Sequence, residues 1–386
     1  MRRMVPLLVL ALAASASASP GKVKKADKIY VAYQEGDKAA LAEAMAVLEP
    51  ALAHKKVQDD AYAHGLWGHL LLEVARGTRS IDELRAASAA LQKAVGMADD
   101  DGVRDGILED LKSVQGLLLA SIEDDLAAKR TDDAWARLEA LMAVRATLAD
   151  EGVVLGGMEE RLLRTAIITA GKAGKVDAAL GYHEEFFGEG WFDAGLASMI
   201  AGALAEAQRV DDALAFLTPL RDEFPGDARL LRAQVDLHGD DAEAALAAVD
   251  GAKDRLWPSV SGALLLADLY GELGAAEPAL AAYAQVLELD EKHRDALVRS
   301  AAIVSGRADG AQATIDGGEL SWREKRDSKK AVAADRAEAV SLLERARELD
   351  GQDAEVLELL VGAYGANADE ESAAEAREAL EQLETP

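Results

Sequence analysis

Residues Val260–His293 read VSGALLLADLYGELGAAEPALAAYAQVLELDEKH, and this stretch limits what the chain can fold into more than any other. Leu266 and Tyr270 are four apart, Gly271 and Gly274 interrupt, and Ala279, Tyr283 and Val286 follow at spacings of four and three. An apolar stripe that recurs every three to four residues, breaks at glycines and resumes is two amphipathic helices joined by a tight turn. Helices this short cannot bury both of their stripes against each other, so the pair needs a neighbour on either side.

These residues resemble the tetratricopeptide repeat (TPR), a helix–turn–helix unit of 34 residues. Leu266, Ala267 and Tyr270 match the pattern of its first helix, and Ala279 and Tyr283 that of its second. Ala263 stands in place of the usual bulky residue, Val286 in place of a small one and Glu291 in place of the closing proline. Ala279 is small so that the two helices can approach, and Tyr283 fills the groove beside it. The same pattern recurs over 160–193 (Leu163, Ile167, Ala170, then Ala179, His183, Phe186). It recurs again over 194–227 (Ile200, Ala201, Leu204, then Ala213, Leu217, Leu220, with Pro225 at the closing proline). The resemblance implies an all-α fold of helix–turn–helix repeats stacked in a right-handed α-solenoid, with protein or peptide partners.

Composition agrees with helices. Aromatics make up only 4% of the 386 residues, and a core of alanine and leucine suits closely packed helices better than sheets. With 70 acidic and 42 basic residues the net charge is −28, which repels nucleic acid and anionic lipid at long range. At the start, Arg2 and Arg3 precede an apolar run over 5–12 and the small residues Ala14–Ala18, the form of a cleaved secretory signal. The apolar run is too short to span a bilayer, so no membrane span is expected after cleavage. There is no cysteine for a lipid anchor or a disulfide, and the expected location is periplasmic or secreted.

Read in order, helices alternate with short polar turns and make about nine pairs. Ser80-Ile81-Asp82-Glu83 has the capping-box form. The expected layout is a signal peptide over 1–18, divergent helical repeats over 19–151, a glycine-containing joint over 152–157, and TPR-like repeats over 158–386. A loop insertion rich in glycine and charge is expected over 305–328.

Motifs for catalysis or cofactors fail on inspection. His183-Glu184-Glu185-Phe186-Phe187 has Phe187 where a zinc-protease helix needs its second histidine. Gly171–Val176 lacks the glycine and the hydroxyl of a phosphate-binding loop, having Thr169 and Val176 at those places. Asp101–Gly106 has Val103 at a calcium-ligand position and Lys112 where the bidentate glutamate belongs. His64 and His69 are five apart, too far for joint ligation on one helix face. Neither an enzyme, a cofactor nor a metal is expected.

Three features point to partner binding. Arg161, Arg164, Ile168 and Lys172 share one helix face which, by the TPR resemblance, lines the inner surface, where cations could grip a peptide carboxylate. Tyr182, Phe186, Phe187, Trp191 and Phe192 concentrate five aromatics within eleven residues. Trp322 and Arg323 begin a cationic run at the end of the expected insertion. The reading is a non-enzymatic exported scaffold for a protein or peptide. The alternatives are an adaptor subunit of a bacterial envelope assembly or secretion machine and, more distantly, a hydrolase of envelope polymers. Oligomeric state has no signature in the sequence.

Overall fold

The computed structural model describes residues 21–154, 156–318 and 320–384; the expected signal peptide lies outside them. Among the described residues eighteen helices follow one another, and there is no strand. The first three pairs are α1 (Gly21–Gln34) with α2 (Ala40–Leu52), α3 (Ala61–Thr78) with α4 (Ile81–Val95), and α5 (Asp101–Ala127) with α6 (Thr131–Asp150). Next come α7 (Met158–Lys172) with α8 (Val176–Gly188), then in sequence α9 (Ala194–Glu206) and α10 (Val210–Glu223), and α11 (Ala228–His238) with α12 (Ala242–Leu256). The last three are α13 (Val260–Glu272) with α14 (Ala276–Leu289), α15 (Arg294–Asp316) with α16 (Trp322–Leu349), and α17 (Ala354–Ala366) with α18 (Glu370–Glu384). The fold class is therefore all-α, built of TPR-like helix–turn–helix repeats.

The repeat positions are the core positions. In the Val260 unit Ala263, Leu266, Ala267, Tyr270, Ala279, Tyr283 and Val286 are all buried. Their counterparts from Glu160 onward (Leu163, Ile167, Ala170, Ala179, His183, Phe186) are buried as well. Leaving water is worth about 2 kcal/mol for each leucine-sized side chain, so the stripes outweigh any single turn or cap.

The turn within a pair is also a repeated object. Gly174, Gln208, Gly274 and Ala368 occupy the same place in their units, and all four adopt the left-handed conformation, with φ of 67°, 61°, 72° and 57°. The next residue's N–H then reaches back to close the helix: Lys175 to the Ala170 carbonyl, Arg209 to Leu204, Ala275 to Tyr270 (each 2.8 Å) and Asp369 to Tyr364 (3.0 Å). Only glycine takes this conformation without steric cost. A second close approach lies at Gly262, where a Cβ would fall 2.2 Å from the Leu256 carbonyl oxygen, so the α12–α13 corner requires glycine too.

The chain divides into two compact units, Met1–Ala203 and Leu204–Pro386, and the division falls inside α9. The expected joint at 152–157 is not a boundary. In the first unit one core cluster runs from Leu72 through Leu111 and Leu148 to Leu162 and Ala166, straight past it. Gly152 and Gly156, both at positive φ, make an ordinary turn between repeats. This unit also holds a buried polar chain that joins three helices. Tyr30 Oη is 2.7 Å from His69 Nε2, and His69 Nδ1 is 2.7 Å from Asp110 Oδ2. All three residues are at most 4% exposed, so the group closes α1, α3 and α5 together and offers nothing to a solute.

In the second unit tyrosines tie successive pairs. Tyr270 donates to Asp250 at 2.5 Å and Tyr364 to Glu344 at 2.9 Å, each to the second helix of the preceding pair, twenty residues back. Burial, reinforced by the adjacent carboxylate, pushes the Tyr364 hydroxyl up to about 12. Asp268 serves two neighbours, accepting from Tyr283 at 2.7 Å and pairing with Arg299 at 2.5 Å.

Two sequence expectations are corrected. The segment 305–328 is not a loop: α15 runs to Asp316, α16 begins at Trp322, and only a short turn separates them. Arg307 fixes the pair by reaching Glu277 at 2.8 Å and Asp335 at 2.7 Å, while Ala308, Ile315 and Val332 give it a small core of its own. These ties hold the helix through Gly306 and Gly310. The capping box is not at Ser80, whose side chain makes no cap bond; Glu83 takes a hydrogen bond from Thr78 instead. It forms at Ser321, where Glu324 N–H donates to Ser321 Oγ at 3.4 Å and Glu324 Oε2 accepts from the Ser321 N–H at 2.9 Å.

The left-handed turn gives a reciprocal test within the second unit. A Cβ on Gly274 meets no atom within 4 Å, so Gly274→Ala changes backbone strain alone. It should cost about 1 kcal/mol, and Ala368→Gly should gain a similar amount. Urea denaturation of the two variants should show midpoint shifts of opposite sign; shifts of the same sign would refute the strain account.

Candidate functional site

The three surfaces expected from the sequence have different fates. Arg161 and Arg164 share a face of α7, and each is already held by acids. Arg161 grips Glu123 with both forks, at 2.7–3.0 Å. Arg164 binds Asp193, meets Glu160 at 3.1 Å and lies 5.4 Å from the centre of the Phe186 ring. Burial works against its charge, but the Asp193 and Glu160 carboxylates outweigh burial and hold the guanidinium above its ordinary value. Lys172 is exposed two turns beyond Arg164, and Ile168 is half-buried between them. The two arginines carry their charge as closed ion pairs, and a peptide carboxylate reaching them would have to displace an internal one.

The aromatic cluster is mostly packing. Phe186 is fully buried, and its ring sits 5.5 Å from that of the half-buried Trp191. Phe187 stacks on His183 at 6.2 Å and meets Phe192 edge-on at 6.4 Å. These rings fill the end of the α7–α8 pair, beside the Asp193 cap of α9.

The third surface is open. α15 and α16 contain 23 and 28 residues, against 13 and 14 for α13 and α14. The repeat core takes in α15 as far as Val304 and α16 from Ala339 onward, so the hairpin overruns it. At its tip Trp322 is 77% exposed, with the Arg326 guanidinium 5.4 Å from its ring centre. Arg323, Lys325, Arg326, Lys329 and Lys330 stand against Glu324 and Asp327 over the next turns, a cationic segment in a strongly acidic chain.

Beside this hairpin, between the first helices α15 and α17, lies a groove of about 490 Å³. Its walls are small residues, Ala301, Ala302 and Ser305 on one side and Gly362 and Ala363 on the other, with the partly exposed Leu359 along it. Arg336, Asp309 and Glu358 supply charge. Arg336 is anchored by donating to the Ala366 carbonyl at 2.9 Å while its own carbonyl accepts from Asn367 at 3.2 Å. Small side chains on two facing helices leave room for a guest side chain, and polar groups at the margin can fix its backbone. The sequence reading missed this groove, because its lining residues Ser305, Gly306 and Asp309 fall in the expected loop.

The other motif residues have structural work. Asp100, just before the calcium-like run, caps α5 by accepting from the Val103 N–H at 2.9 Å. Gly171–Val176 forms the α7–α8 turn. Among the described residues no helix is long and apolar enough to cross a membrane.

No family model matches the sequence, and no curated protein matches it. Solved structures do show likeness. MamA from Desulfovibrio magneticus RS-1 is 13% identical over 50% of this chain and 94% of its own, with a TM-score of 0.33. YrrB, described as a TPR protein with an unusual peptide-binding site, is 16% identical over 50% of this chain and 86% of its own, at 0.32. A TPR repeats protein from Bacteroides fragilis is 14% identical over 65% of this chain and 98% of its own, at 0.35. The repeat architecture of this chain is read from its own helix pairs and buried positions.

The Arg164–Asp193 pair also sets an acid limit on the first unit. Burial alone would raise the Asp193 carboxyl, but Arg164 and the N–H groups of Leu196 and Gly195 hold it below its ordinary value of 3.8. A carboxyl depressed in the fold contributes stability that is present above its unfolded value and lost as pH falls through the folded one. Asp193→Asn should therefore cost about 1–3 kcal/mol at neutral pH, and its gap from wild type should close as pH falls below about 4. Denaturation across that range measures both, and a gap that stays constant would remove Asp193 from the acid response.

Proposed function

We propose that this protein is a non-enzymatic scaffold that receives an extended segment of a partner protein in the groove between α15 and α17. The observation that carries the reading is the pairing of small residues across that groove, Ala302 and Ser305 on one helix and Gly362 and Ala363 on the other, beside Arg336, which is anchored to the Ala366 carbonyl. Export to the periplasm or beyond is part of the proposal. It is supported by the charged start, the short apolar run and the small-residue stretch of the first eighteen residues. The runner-up, an adaptor of an envelope assembly, gains support from the exposed Trp322, since tryptophan and arginine recur among the residues that dominate protein interfaces.

Gly362 separates these readings. A Cβ there meets no atom within 4 Å, so Gly362→Phe can project a ring into the groove without disturbing the helices. Peptides selected from a random display library against the full chain should bind Gly362→Phe at least about 10-fold more weakly, with the melting temperature kept. Peptides bound equally by wild type and variant would sink the groove reading. The adaptor reading predicts that a Trp322→Ala, Arg323→Glu variant loses assembly captured by crosslinking in intact cells while peptide binding is unchanged.

A further inference from the structure

Several half-buried arginines in this chain are matched with carboxylates. Arg137 meets Asp125 at 2.7 Å, Arg294 meets Asp353 at 2.7 Å and Arg307 meets Asp335 at 2.7 Å. With 70 acids for 42 bases, a carboxylate is nearly always at hand. Arg221, on α10, lacks such a carboxylate. It is half-buried, yet its guanidinium donates to the neutral amide oxygen of Gln234 on α11, and no ion pair closes on it among the described residues. The acid acting on it is Asp222, its exposed neighbour in sequence. Burial pulls Arg221 below its ordinary value, whereas Arg164, Arg294 and Arg307 are held above theirs. A guanidinium withdrawn from water and given only an amide is set up for an anion from outside.

Arg221 opens onto a cavity of about 590 Å³ between α10, α11 and α12. Arg255 from α12 and His238 from the end of α11 line the same space. Its other wall is apolar and almost without side chains: Ala244, Ala247, Ala248 and Gly251, one face of α12. A smaller groove between second helices lies in the first unit, α4 against α6. It encloses about 280 Å³, Arg85 donates to the Ala136 carbonyl at 2.9 Å, and Gln92 donates to Ala143 O and Thr147 Oγ1 at 3.0 and 2.9 Å. There the polar side chains staple the two helices. In the second unit the space is twice as large and the guanidinium faces it.

We propose that the cavity between α10, α11 and α12 binds a small aliphatic carboxylate, its anionic group held by Arg221 and Arg255 and its stem laid along Ala244–Gly251. With Asp222 at the rim, two guanidiniums leave a single net positive charge, which fits a monoanion better than a phosphate dianion. The alanine and glycine face of α12 offers apolar surface without hydrogen-bond partners, which fits a hydrocarbon stem. The site lies on the second-helix side of its repeats, apart from the α15–α17 groove, and stands whether or not that groove takes a peptide.

Isothermal titration of the full chain with hexanoate, acetate and inorganic phosphate tests the site. Hexanoate should bind with a Kd below about 5 mM, and at least about 10-fold more tightly than acetate, because its four added methylenes find the apolar wall. Arg221→Gln should weaken hexanoate by about 10-fold or more, while Arg232→Gln, which removes a cation of α11 outside the cavity, leaves it unchanged. If Arg221→Gln does not fold, Arg255→Gln, at an exposed position on α12, decides by the same loss. No saturable hexanoate binding, acetate or phosphate binding as tight as hexanoate, or hexanoate binding indifferent to the arginine that is tested would each overturn the proposal.

Discussion

Each helix pair in this chain carries more apolar surface than it can bury within itself, and that surplus organises everything else. Ala279 brings α13 and α14 close, but Leu266 and Tyr270 need a further neighbour, and they find it in α12 and α15. The same surplus carries the first-unit core past the glycines at 152–157 without a break. A turn rich in glycine ends a domain only where the stripes on its two sides stop needing each other. Here they do not.

Polar contacts refine this packing. Tyr270 and Tyr364 donate twenty residues back to Asp250 and Glu344, so two interfaces of the second unit carry the same bond at the same register. A net hydrogen bond of this kind contributes about 1 kcal/mol, less than the ring that delivers it. Its value is in register: a slip by one residue on either helix would leave a buried hydroxyl unpaired, which costs more than the bond gains. The chain from Tyr30 through His69 to Asp110 does the same for α1, α3 and α5, with a larger penalty for error because all three groups are sealed from water.

Much of this was legible from sequence because the repeat encodes it locally. The spacing of Leu266, Tyr270, Ala279 and Tyr283 specified both helices and their contact, and every one of those positions is buried. The α15–α16 hairpin was misread although two local signals were present. Val304, Ala308, Ala311 and Ile315 continue a stripe at spacings of four, three and four, and Ser321-Trp322-Arg323-Glu324 has the same form as the run at Ser80. Glycines and charges outweighed them in a one-dimensional reading. In three dimensions Arg307 and the Ile315–Val332 contact outweigh the glycines. The second-helix cavity and the Tyr30–His69–Asp110 chain had no such signal, since they depend on residues that only packing brings together.

The acid excess decides which surfaces remain available for recognition. A cation in a chain of net charge −28 meets a carboxylate of its own before it meets a partner, as Arg161 meets Glu123 and Arg164 meets Asp193. Exposed pairs of this sort add little stability, around 0–1 kcal/mol each, but they remove the cation from the pool that can bind something else. Helical spacing on one face is therefore a poor guide to a cationic binding surface in such a chain; what counts is where the supply of carboxylates fails. It fails along the first turns of α16, where five bases face two acids beside an exposed tryptophan, and again at Arg221, where an amide takes the place of an acid. Both places lie in the second unit.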